Sequence, residues 1–223
     1  MEVTVVRQTE DPSYVVSLGL QTCMKQTPGT IYLSTDQVDL LLSADHLSPL
    51  EHVSMTIMVR DVSRSFLAQV TRHRTFKFTS SSQHYQDSSN YPMVIQYDLY
   101  ERAHTDLDTN KMIMGTLETA AVCYKTLMAQ GIKREEARQF LPGAMAVNLL
   151  ITADARNMIN FFRQRRCLRN VEEMVIFADK WQSLAIQWFP IIFTKIGAPC
   201  FEGTKCTQGR LQADECRGGK SDA

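Results

Sequence analysis

The apolar run Phe66-Leu67-Ala68-Gln69-Val70 passes through Thr71 straight into Arg72-His73-Arg74. A helix with a buried face thus ends in three adjacent cation-capable side chains. The segment that follows, Thr75 to Tyr85, is rich in hydroxyls and contains no glycine. Two arginines flanking a histidine make a poor surface and a good anion clamp. Guanidinium forks take phosphate oxygens bidentately, and the imidazole can stack on or hydrogen-bond to a planar ligand. The first expectation is therefore a site for a phosphorylated ligand, a nucleotide.

Charge supports a small ligand over a polymer. The chain has 223 residues with 24 basic and 24 acidic side chains, a formal net charge of zero. Non-specific nucleic-acid binding needs a basic excess, so no nucleic-acid partner is expected. A hydrophobic content of 44% suits one sizeable core with a short tail. The start, Met1 to Val6, lacks a basic segment followed by a long apolar one, so no signal peptide is expected. No run reaches eighteen apolar residues, so no membrane partner is expected and the default location is cytoplasmic.

Local patterns give a few strands and several helices. Glu2 to Val6 reads as a strand, and Asp11-Pro12 starts a helix reaching Cys23. Thr35 to Leu42 reads as a short helix, and Ser48 to His52 as a turn. Val53 to Val59 alternates as a half-buried strand does, and Asp61 or Ser63 caps the helix that ends in the Arg-His-Arg run. Met93 to Tyr97 is a further strand candidate. Ile113 to Met128 has helical spacing closed by Gly131, and Glu135 to Phe140 is a short helix. Asp154 to Arg165 is helical with a basic end. Asn170 is placed as the cap of a last helix, with Glu173 in a capping box and Pro190 past its end. No βαβ rhythm or internal repeat appears, so the class is α+β, a mixed or antiparallel sheet with packed helices. The domain is expected over 1–199, with a polar, cysteine-containing tail over 200–223.

No P-loop, GxGxxG, metalloprotease helix or serine-hydrolase elbow occurs. Arginines cluster instead at Arg72 and Arg74, at Arg134 and Arg138, and from Arg156 to Arg169. Taken singly, any of them could be a surface salt-bridge partner. Their order, however, resembles the flavin-dependent thymidylate synthases. Gln69-x-x-Arg72-His73-Arg74, then seven residues, then Ser82 and Tyr85, is similar to that family's signature. So are Leu50-Glu51-His52-Val53-Ser54, Ala137-Arg138-x-x-Leu141-Pro142, and Thr152-x-Asp154-Ala155-Arg156 leading to Asn160-Phe161-Phe162 and Arg165. Glu173 falls where the family has a glutamate in the next helix. The likeness covers roughly residues 1–195.

The resemblance implies a homotetramer with active sites between subunits. It implies methylation of dUMP to dTMP with FAD as cofactor, methylenetetrahydrofolate as carbon donor and NAD(P)H as reductant. No enzyme nucleophile is then required, and the protein chiefly positions and polarises its ligands. By position, His52, Arg72, His73, Arg74, Thr75, Asp154, Asn160 and Arg169 are expected to bind the flavin. Gln69, Ser80, Ser82, His84, Arg138 and Arg165 are expected to bind dUMP, through its phosphate and its uracil edge. Arg165 and Ser82 are the catalytic candidates, Arg165 by stabilising negative charge on the pyrimidine.

The chain also departs from the family pattern. Lys77 stands where serine is usual, Thr79 where asparagine or glutamine is, Ser80 where glutamate is, and His84 where arginine is. Asp154 often reads asparagine, Arg169 histidine and Val171 glutamine. Lys77 restores a positive charge to the loop. The altered loop leaves two alternatives: a related flavin-dependent pyrimidine modification such as hydroxymethylation, or a non-catalytic flavin- or nucleotide-binding paralogue. Cys200, Cys206 and Cys216 lack the paired C-x-x-C spacing of most zinc sites, so no metal is assigned, although Cys167 or His84 could in principle complete a set. The methionines Met55, Met58, Met112, Met114, Met158 and Met174 are expected to fill the core or an interface, and Trp181 and Trp188 to be packing residues.

Overall fold

The computed structural model describes residues 1–24, 32–83, 88 and 90–203. Four strands, β1 (Glu2–Gln8), β2 (Ser54–Ser63), β3 (Lys77–Ser80) and β4 (Ala146–Asp154), make one sheet in the order β1-β2-β4-β3. The helices are α1 (Pro12–Cys23), α2 (Thr35–Ser43), α3 (Arg64–Val70), α4 (Tyr97–Thr105), α5 (Leu107–Ala129), α6 (Arg134–Ala137), α7 (Ala155–Arg165), α8 (Glu172–Trp188) and α9 (Pro190–Phe193). Two 3₁₀ turns cover Ser48–His52 and Arg138–Phe140. The α+β class with an antiparallel sheet and packed helices is as expected. Among the described residues no helix is long and apolar enough to cross a membrane.

Register follows from side chains that meet across the strands. Thr56 Oγ1 lies 2.9 Å from Thr152 Oγ1, and the Asp61 N–H donates to Asn148 Oδ1 at 3.1 Å. Numbering rises on β2 as it falls on β4, so the pair is antiparallel. The Thr9 N–H donates to Ser54 O and Arg60 pairs with Glu2, which sets β1 antiparallel to β2 in the same way. The alternation read in β2 is a real inward face: Met55, Ile57 and Val59 are fully buried.

The chain divides into two compact units. One comprises Met1–Glu2, Met58–Arg72 and Phe78–Leu150; the other comprises Val3–Ile57, His73–Lys77 and the described residues from Ile151 on. One of the crossings from the first unit to the second falls between Arg72 and His73. In the first unit α5 is long but buries only Tyr124, whose hydroxyl accepts the Ser88 N–H at 3.4 Å. Gly131 follows α5 at φ 81°, the left-handed conformation that a helix C-terminus wants from glycine. In the second unit Trp181 of α8 sits among Phe76, Phe161, Phe162 and Phe177, with ring centroids 5.2–5.7 Å away.

Several local readings are corrected. Ser63 is the cap of α3, its hydroxyl accepting the Phe66 N–H at 2.9 Å. That helix stops at Val70, so the Arg-His-Arg run lies in the turn beyond it and not in the helix. Lys77–Ser80, inside the segment read as loop, is a strand. Met93 forms one isolated antiparallel bridge to Met145 in place of a strand, and α4 begins at Tyr97. The strand Ala146–Asp154 was not expected at all. Val171, not Asn170, stands at the N-cap of α8, with no side-chain capping bond.

Candidate active site

The second unit brings together three of the segments that carry the resemblance. The Ala155 N–H donates to Val53 O at 2.9 Å, and Arg156 pairs with Glu51 at 2.5 Å. A Cβ on Gly19 would sit 3.0 Å from Pro49 Cβ and 3.8 Å from His52 Cδ2, so a larger residue there would press α1 against the turn that presents His52. His52 itself is exposed. Asp154 ends β4 and caps α7, accepting the Asn157 N–H at 2.9 Å and Asn157 Nδ2 at 2.6 Å. An N-cap needs only a short acceptor, which aspartate and asparagine supply alike. The departure at this position is thereby accounted for locally. Along α7, Met158, Ile159, Phe161 and Phe162 are buried while Asn160 faces solvent.

His73 is the centre of this arrangement. Its ring stacks on Phe76 (5.4 Å, 24°) and meets the edge of Phe161 (4.9 Å, 69°). Arg165, in the last turn of α7, donates from Nε to His73 Nε2 at 2.9 Å. An imidazole nitrogen that accepts from a guanidinium carries no proton, so the ring is neutral with its hydrogen on Nδ1. Burial first, and the Arg165 charge second, lower its pKa from 6.5 to about 4. The run therefore presents two cations around a neutral ring, not three cations. Arg165 is held at a second corner: Nη1 donates to Asn170 Oδ1 at 3.0 Å, and Asn170 Nδ2 donates to Gln164 O and Cys167 O, each at 2.9 Å.

A pH dependence follows. The His73 pKa is depressed in the folded protein, so its contribution to stability is complete above pH 6.5 and is lost as pH falls toward about 4. In urea titrations between pH 7.5 and 4.5, His73→Asn is expected to flatten the decline in stability across that window. A decline as steep in the variant as in the wild type would refute the assignment.

The first unit holds the other candidates. Gln69 is half-buried on α3, and Arg72 is exposed just beyond it. Ser81 ties the end of β3 to β4, donating its N–H to Asn148 O at 3.0 Å while its hydroxyl accepts the Asn148 N–H at 3.1 Å. Ser80 and Ser82, on either side of it, are exposed. Arg138 is exposed in its 3₁₀ turn, and its charge acts on Arg64. Of the rest, Arg74, Thr75, Lys77 and Arg169 are exposed in the second unit. His84 and Tyr85 lie outside the described residues, as do Cys206 and Cys216; Cys200 is a free thiol.

Not every arginine belongs to the site. Arg163 grips Glu202 with Nε 3.0 Å from both carboxylate oxygens, and Arg166 pairs with Asp179 at 2.6 Å. Both are ties within the second unit. Sequence reasoning missed the part played by Asn170, taken for a helix cap, and the seat that Phe76 and Phe161 make for His73. The asparagine's place five residues after Arg165 was the available signal.

Comparison with known proteins identifies the family. The family described as thymidylate synthase complementing protein matches residues 4–191. The flavin-dependent thymidylate synthase of Nitratidesulfovibrio vulgaris is 31% identical over 76% of this chain and 71% of its own. Those of Clostridium tetani and Geobacter sulfurreducens are each 27% identical over 95% of this chain, covering 92% and 93% of their own lengths. With residues 4–191 inside the family model, the chain belongs to the thymidylate synthase complementing protein family.

Proposed function

We propose that the chain methylates dUMP to dTMP, with FAD as bound cofactor, methylenetetrahydrofolate as carbon donor and NAD(P)H as reductant. The observation that carries this reading is the neutral His73 locked to Arg165. An imidazole seated on aromatic rings offers its Nδ1–H, without a partner among the described residues, to a planar heterocycle. The exposed guanidiniums of Arg72 and Arg74 suit the phosphates of a dinucleotide. The donor set thus fits a flavin, with His52, Arg72, His73, Arg74, Thr75, Asp154, Asn160 and Arg169 as the residues that would hold it. When bound, a reduced flavin supplies the hydride that completes the methyl group.

The chain's own work is binding and polarisation. Gln69, Ser80, Ser82 and Arg138 hold the nucleotide through hydroxyl, amide and guanidinium contacts, with His84 in the same group. Arg165 offers a fixed positive charge to the uracil as negative charge develops on the ring. Its orientation is set in advance by His73 and Asn170, so no reorganisation is needed at that moment. Ser82 assists at the pyrimidine. No covalent enzyme nucleophile enters.

A homotetramer is part of the proposal. Leu107, Met112, Met114 and Val122 of α5 and the nearby Phe140 are each more than half exposed, an apolar surface that suits association between copies. Light scattering of the purified protein measures the mass directly, and a monomer would remove this part. For the activity, purified protein is expected to be yellow and to consume NADPH only when dUMP and methylenetetrahydrofolate are present. Mass spectrometry of the nucleotide product is expected to show the mass of dTMP. A hydroxymethyl product, or no turnover by a flavin-loaded protein, would overturn methylation.

A further inference from the structure

We infer that Glu202 is a positioning residue for Arg165, acting through a latch that holds the last turn of α7. The helix is anchored from within by Met158, Ile159, Phe161 and Phe162, and none of its side chains after Phe162 is buried. Its final residues therefore rely on polar ties, at a helix end where carbonyls run out of partners and fraying begins. Arg165, the group offered to the uracil, stands in that turn. Glu202 grips the same turn at Arg163, from 39 residues further along the chain. The turn that carries Glu202 lies beyond residue 191, where the family match ends.

The latch is a turn folded back on the helix. The Phe201 and Glu202 N–H groups both donate to Ala198 O, at 2.8 and 3.2 Å. Arg163 Nε lies 3.0 Å from both oxygens of the Glu202 carboxylate, and Arg163 Nη2 lies 2.9 Å from Oε2. The Gly197 N–H donates to Oε1 at 3.0 Å, so the carboxylate is held from the helix and from its own turn at once. The Arg163 and Glu202 side chains are 27% and 15% exposed, against 47% and 58% for Arg60 and Glu2, so solvent screens this pair far less than a surface one. A Cβ on Gly197 would run into the Phe201 ring, which closes over the turn. The Arg166 guanidinium lies 5.9 Å from the centroid of that ring, while its Nε donates to Asp179 at 2.6 Å. The arginines at 163 and 166 are thus each matched to a carboxylate. The backbone between them is fixed while Arg165 turns to His73 and Asn170.

The inference rests on the proposed role of Arg165, and its test has one readout that does not. In the full-length, flavin-loaded protein, E202Q keeps the shape of the side chain and removes its charge. kcat for dTMP formation is expected to fall about five- to twentyfold with KM for dUMP within about twofold, as when an interaction made in the transition state is misplaced. R163M/E202Q is expected to lose no more than E202Q alone, because the two side chains act as one unit; losses that multiply overturn the latch. Independently of turnover, the His73 ring reports where the Arg165 guanidinium sits. Its titration midpoint, read by NMR, is expected to move upward in E202Q as that charge moves off. Loss of the Glu202 charge by itself would move it downward, so the sign is specific to a displaced Arg165. If the wild type makes no dTMP, the proposed function falls while the His73 midpoint still decides the latch. A lower Tm with kcat and the midpoint both unchanged would show a tie that only stabilises, and would overturn positioning. Should E202Q not fold, E202D keeps the charge and gives up the two-oxygen grip. An upward midpoint in E202D supports the latch, and an unchanged one overturns it.

Discussion

Arg165→Ala is expected to lower kcat for dTMP formation by about a hundred- to a thousandfold, the range seen when one pre-oriented donor to a developing anion is removed. The reason is specific to how the side chain is held. Nε is engaged by His73 at 2.9 Å and Nη1 by Asn170 at 3.0 Å, so the guanidinium plane has one orientation before any ligand arrives. Arg165→Lys is expected to be nearly as poor, because an ammonium group cannot span His73 Nε2 and Asn170 Oδ1 together. Asn170→Ala, which frees only one corner, should cost about tenfold or less. Steady-state rates with saturating dUMP measure all three. The ordering matters as much as the size: a lysine variant close to wild type would mean that charge alone suffices and that the His73–Arg165–Asn170 chain is irrelevant to turnover. The fold should survive, since Arg165 is half-buried at the end of α7 and the helix is anchored by Phe161 and Phe162.

How legible all this was depends on what each residue's role rests on. Asp11-Pro12 marked α1 because the cap and the first-turn proline act locally; Asp11 accepts the Tyr14 N–H, at φ 45°. β2 showed itself by alternation, since one of its faces is buried and the other only partly so. β4 was hidden for the opposite reason. Leu149, Leu150, Ile151 and Ala153 form a near-continuous apolar run, and such a run has no period to read. α4 buries only Ala103, so packing left almost no mark on its sequence. Asn170 looked like a cap because it stands before Val171 and Glu173, but its amide is occupied by Gln164 O, Cys167 O and Arg165. The same limit applies at the site. Arg72-His73-Arg74 announces an anion site, yet the neutrality of His73 is set by Phe76, Phe161 and a guanidinium 92 residues away.

Trp181→Ala should produce the largest loss of stability, about 3–5 kcal/mol, or a fall in Tm of about 10 °C. The indole is fully buried and touches four phenylalanine rings, so the alanine variant leaves a void that the surrounding rings cannot fill without leaving their own contacts. Trp181→Phe should cost much less than its volume change suggests. The Trp181 N–H has no hydrogen-bond partner among the described residues, and removing a buried unsatisfied donor offsets part of the packing loss. Urea denaturation of both variants gives the comparison. The consequence for activity follows from shared neighbours. Phe76 and Phe161, which pack on Trp181, are also the two rings that seat His73. A cavity at position 181 therefore lets the imidazole tilt and releases Arg165 from its fixed plane. At a temperature where Trp181→Ala remains folded, kcat should fall about tenfold while flavin content holds, an effect too large for a residue whose only role is stability. Unchanged kcat in a folded, destabilised variant would show that the aromatic cluster supports the fold without orienting the arginine.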